Sequence, residues 1–279
     1  MNIGLLGRNS THFLAYGKVF AELGNNCFYT DEENSIEKDL NNYKNFKRTT
    51  PLDLAENCQL ILITSRFADE HLPTLNMLLN IFKCKSKIFV DKPIVNSIKE
   101  VKEIINLEKN FSNSITSFSP LRFCNEILFI KELISENINS FIDLEICAPI
   151  SAEDIGDDKR FKSPLFYGVH AVEMGLEISN YIFDEKVDIS NKVIKDSKII
   201  DFRNYNKSIK IILKPSLEEI YNIKLRINKK TIFDNDVNLD GTYYSNCAYK
   251  LLKFGEKGFL DSNLPTLKEA CKGINLLIG

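Results

Sequence analysis

The chain has no C-x-x-C pair, no long apolar run, no surplus of either charge and only three histidines. Each absence closes off a class of function. Its 279 residues carry 36 lysines and arginines against 38 aspartates and glutamates, so no overall field draws it to nucleic acid or to an anionic membrane. No window nears the roughly 20 uninterrupted apolar residues that span a bilayer. The opening Met-Asn-Ile-Gly-Leu-Leu-Gly has neither a cationic leader nor a small-residue cleavage site, and no signal peptide is expected. Seven scattered cysteines, an odd number, predict reduced and mostly buried thiols of a cytoplasmic protein. Neither a disulfide framework nor a metal site is expected. Internal repeats and low-complexity tracts are missing too. What is there is 44% hydrophobic and 27% charged, a globular composition long enough for one large domain or two medium ones. The expected partner is a small molecule.

Over residues 1–118, short apolar runs alternate with helical patterns, which predicts a parallel sheet covered by helices. Strands are expected at Ile3–Leu6, Asn26–Thr30, Leu60–Thr64, Lys87–Asp91 and Ile115–Phe118. Helices are expected over 11–23, 72–82 and from the capping box Ser97-Ile-Lys-Glu100. Ser119-Pro120 breaks the pattern, and the domain boundary is placed there. After a helix over about 122–135, period-2 alternation predicts half-buried antiparallel strands at 141–148, 199–203, 208–214, 221–228 and 231–234. A helix over 169–182 interrupts them, and helices over 243–254 and 266–277 close the chain. The expected architecture is an α/β Rossmann domain (1–118) followed by an α+β domain with an open, mainly antiparallel sheet (119–279). The C-terminal helix is a candidate to pack back on the first domain.

The first strand, turn and helix have the layout of a dinucleotide site, but a G-x-G-x-x-G reading of Gly7-Arg8-Asn9-Ser10-Thr11-His12 finds only the first glycine. The helix start can still offer N–H groups and dipole to a pyrophosphate, and the His12 ring N–H can reach a phosphate. Asp31, 24 residues after Gly7, stands where an acid bonds the ribose hydroxyls of NAD. In an open parallel sheet, ligands bind at the carboxyl ends of strands. That brings forward Thr64-Ser65-Arg66 and Asp91-Lys92-Pro93. Arg66 is a candidate for the cofactor or an acidic substrate, Arg122 for a bidentate grip on substrate, and Tyr243 with Tyr244 for hydrogen bonds to a polyol. Surface or interdomain salt bridging is the competing account of the two arginines, and half-buried packing that of the two tyrosines.

Three segments carry a resemblance: Thr64-Ser-Arg-Phe-Ala-Asp-Glu-His71 after one strand, Asp91-Lys-Pro93 after the next, and Tyr167-Gly-Val-His-Ala-Val-Glu173. With the Arg122-Phe123 pair, and in this order, they resemble the Gfo/Idh/MocA family of NAD(P)-dependent oxidoreductases. The resemblance implies NAD or NADP as cofactor and a sugar, polyol or nucleotide-sugar derivative as substrate. It implies that Lys92 lies between nicotinamide and substrate, polarising an oxygen, and that His170 is the acid/base group. His71 is implied to lie close to the cofactor. Glu173 shares a helical face with His170 and can orient its ring or bind a sugar hydroxyl, and Tyr167 precedes it. Many members carry an aspartate four residues before this histidine, where this chain has Phe166. The family's use of the second sheet implies a homodimer or homotetramer. The missing glycines and aspartate keep an alternative open: a non-catalytic nucleotide- or sugar-binding regulatory or scaffold protein of the same fold. A family member acting on a non-sugar substrate is a third.

Overall fold

The structure, a computed structural model, describes all residues except 31–39, 41–43, 112–114, 151–162, 184–186, 216–217 and 260. The chain divides into two compact units, Met1–Phe118 with Tyr244–Cys271, and Ser119–Tyr243 with Lys272–Gly279.

The first unit contains β1 (Asn2–Leu6), α1 (Thr11–Glu22), β2 (Asn26–Tyr29), β3 (Phe46–Arg48), α2 (Pro51–Asn57), β4 (Leu60–Ile63), α3 (His71–Asn76), β5 (Lys87–Val90), α4 (Ile98–Asn110) and β6 (Ile115–Ser117). Its six strands are all parallel, in the order β3-β2-β1-β4-β5-β6. That is the doubly wound order, in which the chain reverses direction across the sheet at β1 and β4. Leu60, Ile61, Leu62 and Ile63 are all fully buried, as a central parallel strand covered on both faces requires. Phe13, Tyr16, Gly17 and Phe20 form the buried stripe of α1. Two elements here lie outside the sequence expectation. One is the three-residue edge strand β3, and the other is α2, started by Pro51 and by a reciprocal capping box between Thr50 and Asp53.

The second unit contains α5 (Asn125–Glu136), β7 (Ile142–Pro149), α6 (Gly168–Ile182), β8 (Asp188–Ile194), β9 (Ser197–Arg203), β10 (Lys207–Lys214), β11 (Asn222–Ile227) and β12 (Lys230–Asp236). The strand order is β12-β11-β7-β10-β9-β8, with β7 and β10 parallel and every other neighbour antiparallel. The expected open, mainly antiparallel sheet is therefore present. Strict alternation drives it: Ile142, Leu144 and Ile146 are buried while Asp143 and Glu145 are half-exposed. On the half-exposed face Arg226 pairs with Asp143 at 2.8 Å and Lys224 with Asp234 at 2.5 Å. Helix α6 covers the apolar face so closely that a Cβ on Gly175 would stand 2.5 Å from Ile211 Cδ1. The helix expected from 122 begins at Asn125, because Pro120–Phe123 winds as a separate 3₁₀ turn capped by Ser119. Helices α7 (Tyr243–Lys257) and α8 (Leu267–Ile278) end the chain, and residues 244–271 belong to the first unit. None of the seven cysteines is in a disulfide. Among the described residues, no helix is long and apolar enough to cross a membrane.

Candidate functional site

In the first unit the carboxyl ends of β1 and β4 are stitched into one platform. Gly7 has φ +94°, and a Cβ there would lie 2.1 Å from Ser65 N and 2.5 Å from Thr64 C. Only glycine fits, both for the backbone angle and for the space. The Thr64 N–H and hydroxyl both donate to Leu6 O, at 2.9 and 2.7 Å. Asn9 stands at the second glycine position, and its amide is committed to the loop after β4. Its Oδ1 accepts from Arg66 N at 3.0 Å and its Nδ2 donates to Glu70 Oε2 at 3.1 Å. Ser10 caps α1 by accepting from His12 N at 3.2 Å, with Thr11 exposed as the first helical residue. Arg8 is buried, its guanidinium 4.9 Å above the Tyr29 ring. A cavity of about 510 Å³ opens here, lined by Gly7, Asn9, Thr30, Ser65, Asp69 and Glu70 among others. Its size suits a small-molecule site. The exposed Arg66 follows Ser65 at its rim. Asp31 lies outside the described residues.

The segment after β5 is held from two sides. Asp91 N donates to Ile63 O at 2.8 Å, which extends the β4–β5 ladder, and the Lys92–Pro93 peptide is cis. The buried Asp91 carboxylate meets His12 Nδ1 at 2.5 Å. The His12 ring expected to reach a phosphate is thus bonded to the acid of Asp-Lys-Pro, which sits across the sheet from the start of α1. Burial pushes the Asp91 carboxyl up, but His12 and the neighbouring Lys92 outweigh it and hold it below the usual carboxylate range. His71 is fully buried between two carbonyls, its Nδ1 3.0 Å from Pro93 O and its Nε2 2.9 Å from Ser65 O. It therefore acts on the platform by tying one strand-end loop to the next. Tyr244, named with Tyr243 as a polyol contact, packs edge-on to His12 at 5.6 Å and to Tyr16 at 5.0 Å. Asp91→Asn keeps the shape but removes the charge, and is expected to lower the unfolding free energy by about 1–3 kcal/mol, the worth of a charged hydrogen bond. Urea denaturation at pH 7 measures it.

In the second unit His170 lies in the first turn of α6, nearly buried, with Nδ1 2.6 Å from Ser119 Oγ. Tyr221 packs edge-on to its ring at 5.6 Å. Burial, with Glu219 beside it, raises the Tyr221 phenol well above 10, and Tyr167 and Tyr243 are close enough to add to the effect. Two expected substrate residues, Tyr167 and Tyr243, are thus gathered around a third tyrosine that the sequence did not single out. Phe166, where the family pattern has aspartate, packs on the Tyr167 ring at 5.1 Å.

Arg122 and Glu173 are placed differently from expectation. Each is 2% exposed, and they face one another: Arg122 Nη1 donates to Glu173 at 2.7 Å and Nε donates to Glu177 at 2.9 Å. Lys131 closes the network on Glu177 at 2.6 Å. A guanidinium with these partners braces the 3₁₀ turn against α6, and at 2% exposure it is buried away from the surface. Burial of Glu173 likewise removes it from sugar hydroxyls. Among the described residues, no cluster of three or more histidine, cysteine or acidic side chains is placed to hold a metal ion.

No protein-family model matches the sequence, and no curated protein matches it. Solved structures do. A myo-inositol dehydrogenase from Lactobacillus casei, in complex with NAD(H) and myo-inositol, is 14% identical at TM-score 0.68, covering 98% of this chain and 91% of its own. The WlbA (WbpB) dehydrogenase from Thermus thermophilus, in complex with NAD and UDP-GlcNAcA, is 12% identical at TM-score 0.63, covering 99% and 93%. A Gfo/Idh/MocA family oxidoreductase from Vibrio cholerae is 11% identical at TM-score 0.67, covering 99% and 95%. This chain has the Gfo/Idh/MocA fold. At these identities the likeness is one of fold, and it runs the whole length of the chain through both units.

Proposed function

We propose that the chain is an NAD(P)-dependent oxidoreductase transferring hydride to or from a CH–OH or C=O group of a sugar, polyol or nucleotide-sugar derivative. The observation that carries this reading is the turn after β1, where glycine alone fits against Ser65 and a cavity of about 510 Å³ opens at the strand ends. A pyrophosphate needs just such a close approach to backbone, with a helix N-terminus behind it. Gly7, Ser10, Thr11 and Ser65 would hold it, with Arg8 and Arg66 as nearby cations. The ligands of the fold relatives, NAD with myo-inositol or with UDP-GlcNAcA, support both cofactor and substrate class.

A bound nicotinamide supplies the hydride acceptor or donor. Lys92 sets an ammonium against the substrate oxygen and steadies alkoxide charge. Asp91 and Pro93, braced by His12 and His71, aim it. His170, in the second unit, is the candidate acid/base group for the reaction's proton, and Tyr167 and Tyr243 offer hydroxyls to a polyol. Arg122 and Glu173 act one step back by fixing the start of α6. A cytoplasmic homodimer or homotetramer, joined through the open face of the second sheet, belongs to the same proposal.

Titration with NADH and NADPH tests it. One of them is expected to raise the melting temperature and to gain nicotinamide emission on binding. Binding of neither by folded protein sinks the reading. Across a panel of sugars and nucleotide sugars, Lys92→Ala is expected to lower turnover by at least about a hundredfold with an unchanged circular dichroism spectrum. Full activity in that variant rejects the lysine's role. Asn9 and the carboxylates of Asp69 and Glu70 on the cavity wall favour a second reading, a nucleotide- or sugar-binding protein without turnover. Cofactor binding with no turnover across the panel supports it.

A further inference from the structure

His170 is held from outside its own helix, and the group that holds it is a hydroxyl. Ser119 is fully buried at the start of the second unit. Its Oγ accepts the Leu121 N–H at 3.2 Å, capping the 3₁₀ turn, and lies 2.6 Å from His170 Nδ1. A serine hydroxyl has one proton to give and two lone pairs with which to accept. Leu121 engages one lone pair. The proton has no solvent to turn to at a fully buried site, and burying a donor without an acceptor is costly. Among the described residues, the side-chain acceptor set within hydrogen-bond distance of that oxygen is Nδ1 of His170.

We propose that Ser119 is the positioning residue of His170: its hydroxyl donates to Nδ1 and fixes the neutral ring with its proton on Nε2. A carboxylate against Nδ1 sets the opposite state, because it can only accept and so keeps the proton on Nδ1. The serine reverses that preference. The resting ring presents Nε2–H, a donor, and hydrogen-bonds a carbonyl or alkoxide oxygen without giving up its proton. To act as a base toward an alcohol, the pair must first rearrange so that Nδ1–H donates to the second lone pair of Oγ, leaving Nε2 bare. The consequence for catalysis rests on the oxidoreductase reading: the resting ring donates a hydrogen bond to the substrate oxygen, and taking a proton from an alcohol begins with a turn of the Ser119 hydroxyl that leaves Nε2 bare.

Long-range ¹H–¹⁵N correlation of the imidazole rings tests this in the full chain without cofactor, at a pH where the rings are neutral. With only three histidines, His170→Gln identifies the pattern by its loss. The expected pattern has Nε2 protonated and Nδ1 bare. Ser119→Ala is expected to raise the Nδ1–H fraction several-fold, and Ser119→Thr, which keeps the hydroxyl, to restore the original pattern. A proton on Nδ1 in the unaltered chain overturns the proposal, and so does a Ser119→Ala pattern identical to it. Should Ser119→Ala fail to fold, the unaltered chain and the threonine variant still decide. Where turnover is found, Ser119→Ala is expected to lower kcat on the order of tenfold at unchanged cofactor KM, with rescue by threonine. Failure of NADH and NADPH to bind removes the oxidoreductase reading and leaves the tautomer standing. A reversed tautomer alongside cofactor binding removes only this proposal.

Discussion

Arg122→Ala is expected to lower the unfolding free energy by about 3–5 kcal/mol, the cost of stripping a buried ion pair of one partner. The argument rests on burial. Arg122 and Glu173 are each 2% exposed and Glu177 is 12% exposed, so removing the guanidinium takes a buried cation from both carboxylates, while Lys131 stays on Glu177. Lys131→Ala removes a partner that is itself 26% exposed, and is expected to cost no more than about 1 kcal/mol. Joint replacement of Arg122, Glu173 and Glu177 by apolar residues of similar volume is expected to cost less than Arg122→Ala alone, since no buried charge is then left unpaired. Equilibrium urea denaturation followed by circular dichroism reads all three. A loss below about 1 kcal/mol for Arg122→Ala would show that water reaches the network.

The same network has a pH signature. Burial pushes the Glu177 carboxyl up, but Arg122 and Lys131 outweigh burial and hold it below the ordinary 4.5. A carboxyl whose folded pKa is depressed contributes stability that is fully present above its unfolded pKa and lost as pH falls through the folded one. In Arg122→Ala the outweighing charge is gone, and protonation relieves the stranded acids. The gap between the unaltered chain and the variant is therefore expected to narrow as pH falls below 4.5. Stability curves at pH 7 and pH 4 decide whether it does.

The parts of the fold that were legible in sequence are those whose signal is local. The runs Leu60–Ile63 and Lys87–Val90 announce strands buried on both faces, and the alternation Ile142-Asp-Leu-Glu-Ile146 announces a strand with one open face. β8 gave no such signal because every residue in it is exposed, so no face is selected for apolar side chains. α2 is too short for periodicity, though Thr50-Pro51-Leu52-Asp53 does spell its capping box. The site divides the same way. Gly7 and Lys92 follow from strand-end position, whereas the partners that define the remaining roles lie far along the chain. Asn9 meets Arg66 57 residues away, His12 meets Asp91 79 away, and Ser119 meets His170 51 away. A motif reports which charges are present and not whether they are buried, which is why Arg122 and Glu173 read as ligand contacts. The available clue was α6 itself: Glu173 and Glu177 stand one turn apart on a helix that is otherwise almost wholly buried, and such acids require an internal cation.

Gly7→Ala is expected to remove cofactor binding and to destabilise the first unit by about 2–4 kcal/mol, from a strained backbone angle plus a steric overlap. The angle alone, φ +94°, costs a side-chain-bearing residue about 1–2 kcal/mol. The overlap is the larger matter, because the atoms 2.1 and 2.5 Å from the new Cβ are Ser65 N and Thr64 C, backbone that cannot swing aside. Relief requires the turn to lift off the end of β4, which pulls apart the bonds from Thr64 to Leu6 and from Arg66 to Asn9. Gly24→Ala separates the two contributions. Its φ is +79° but nothing lies within 4 Å of the added Cβ, so it is expected to cost only the angle, about 1 kcal/mol, and to bind cofactor normally. Thermal melts and NADH titration of both variants make the comparison. If Gly7→Ala binds NADH with unaltered affinity, the pyrophosphate does not approach this turn, and the platform of Gly7, Asn9 and Ser65 serves some other ligand.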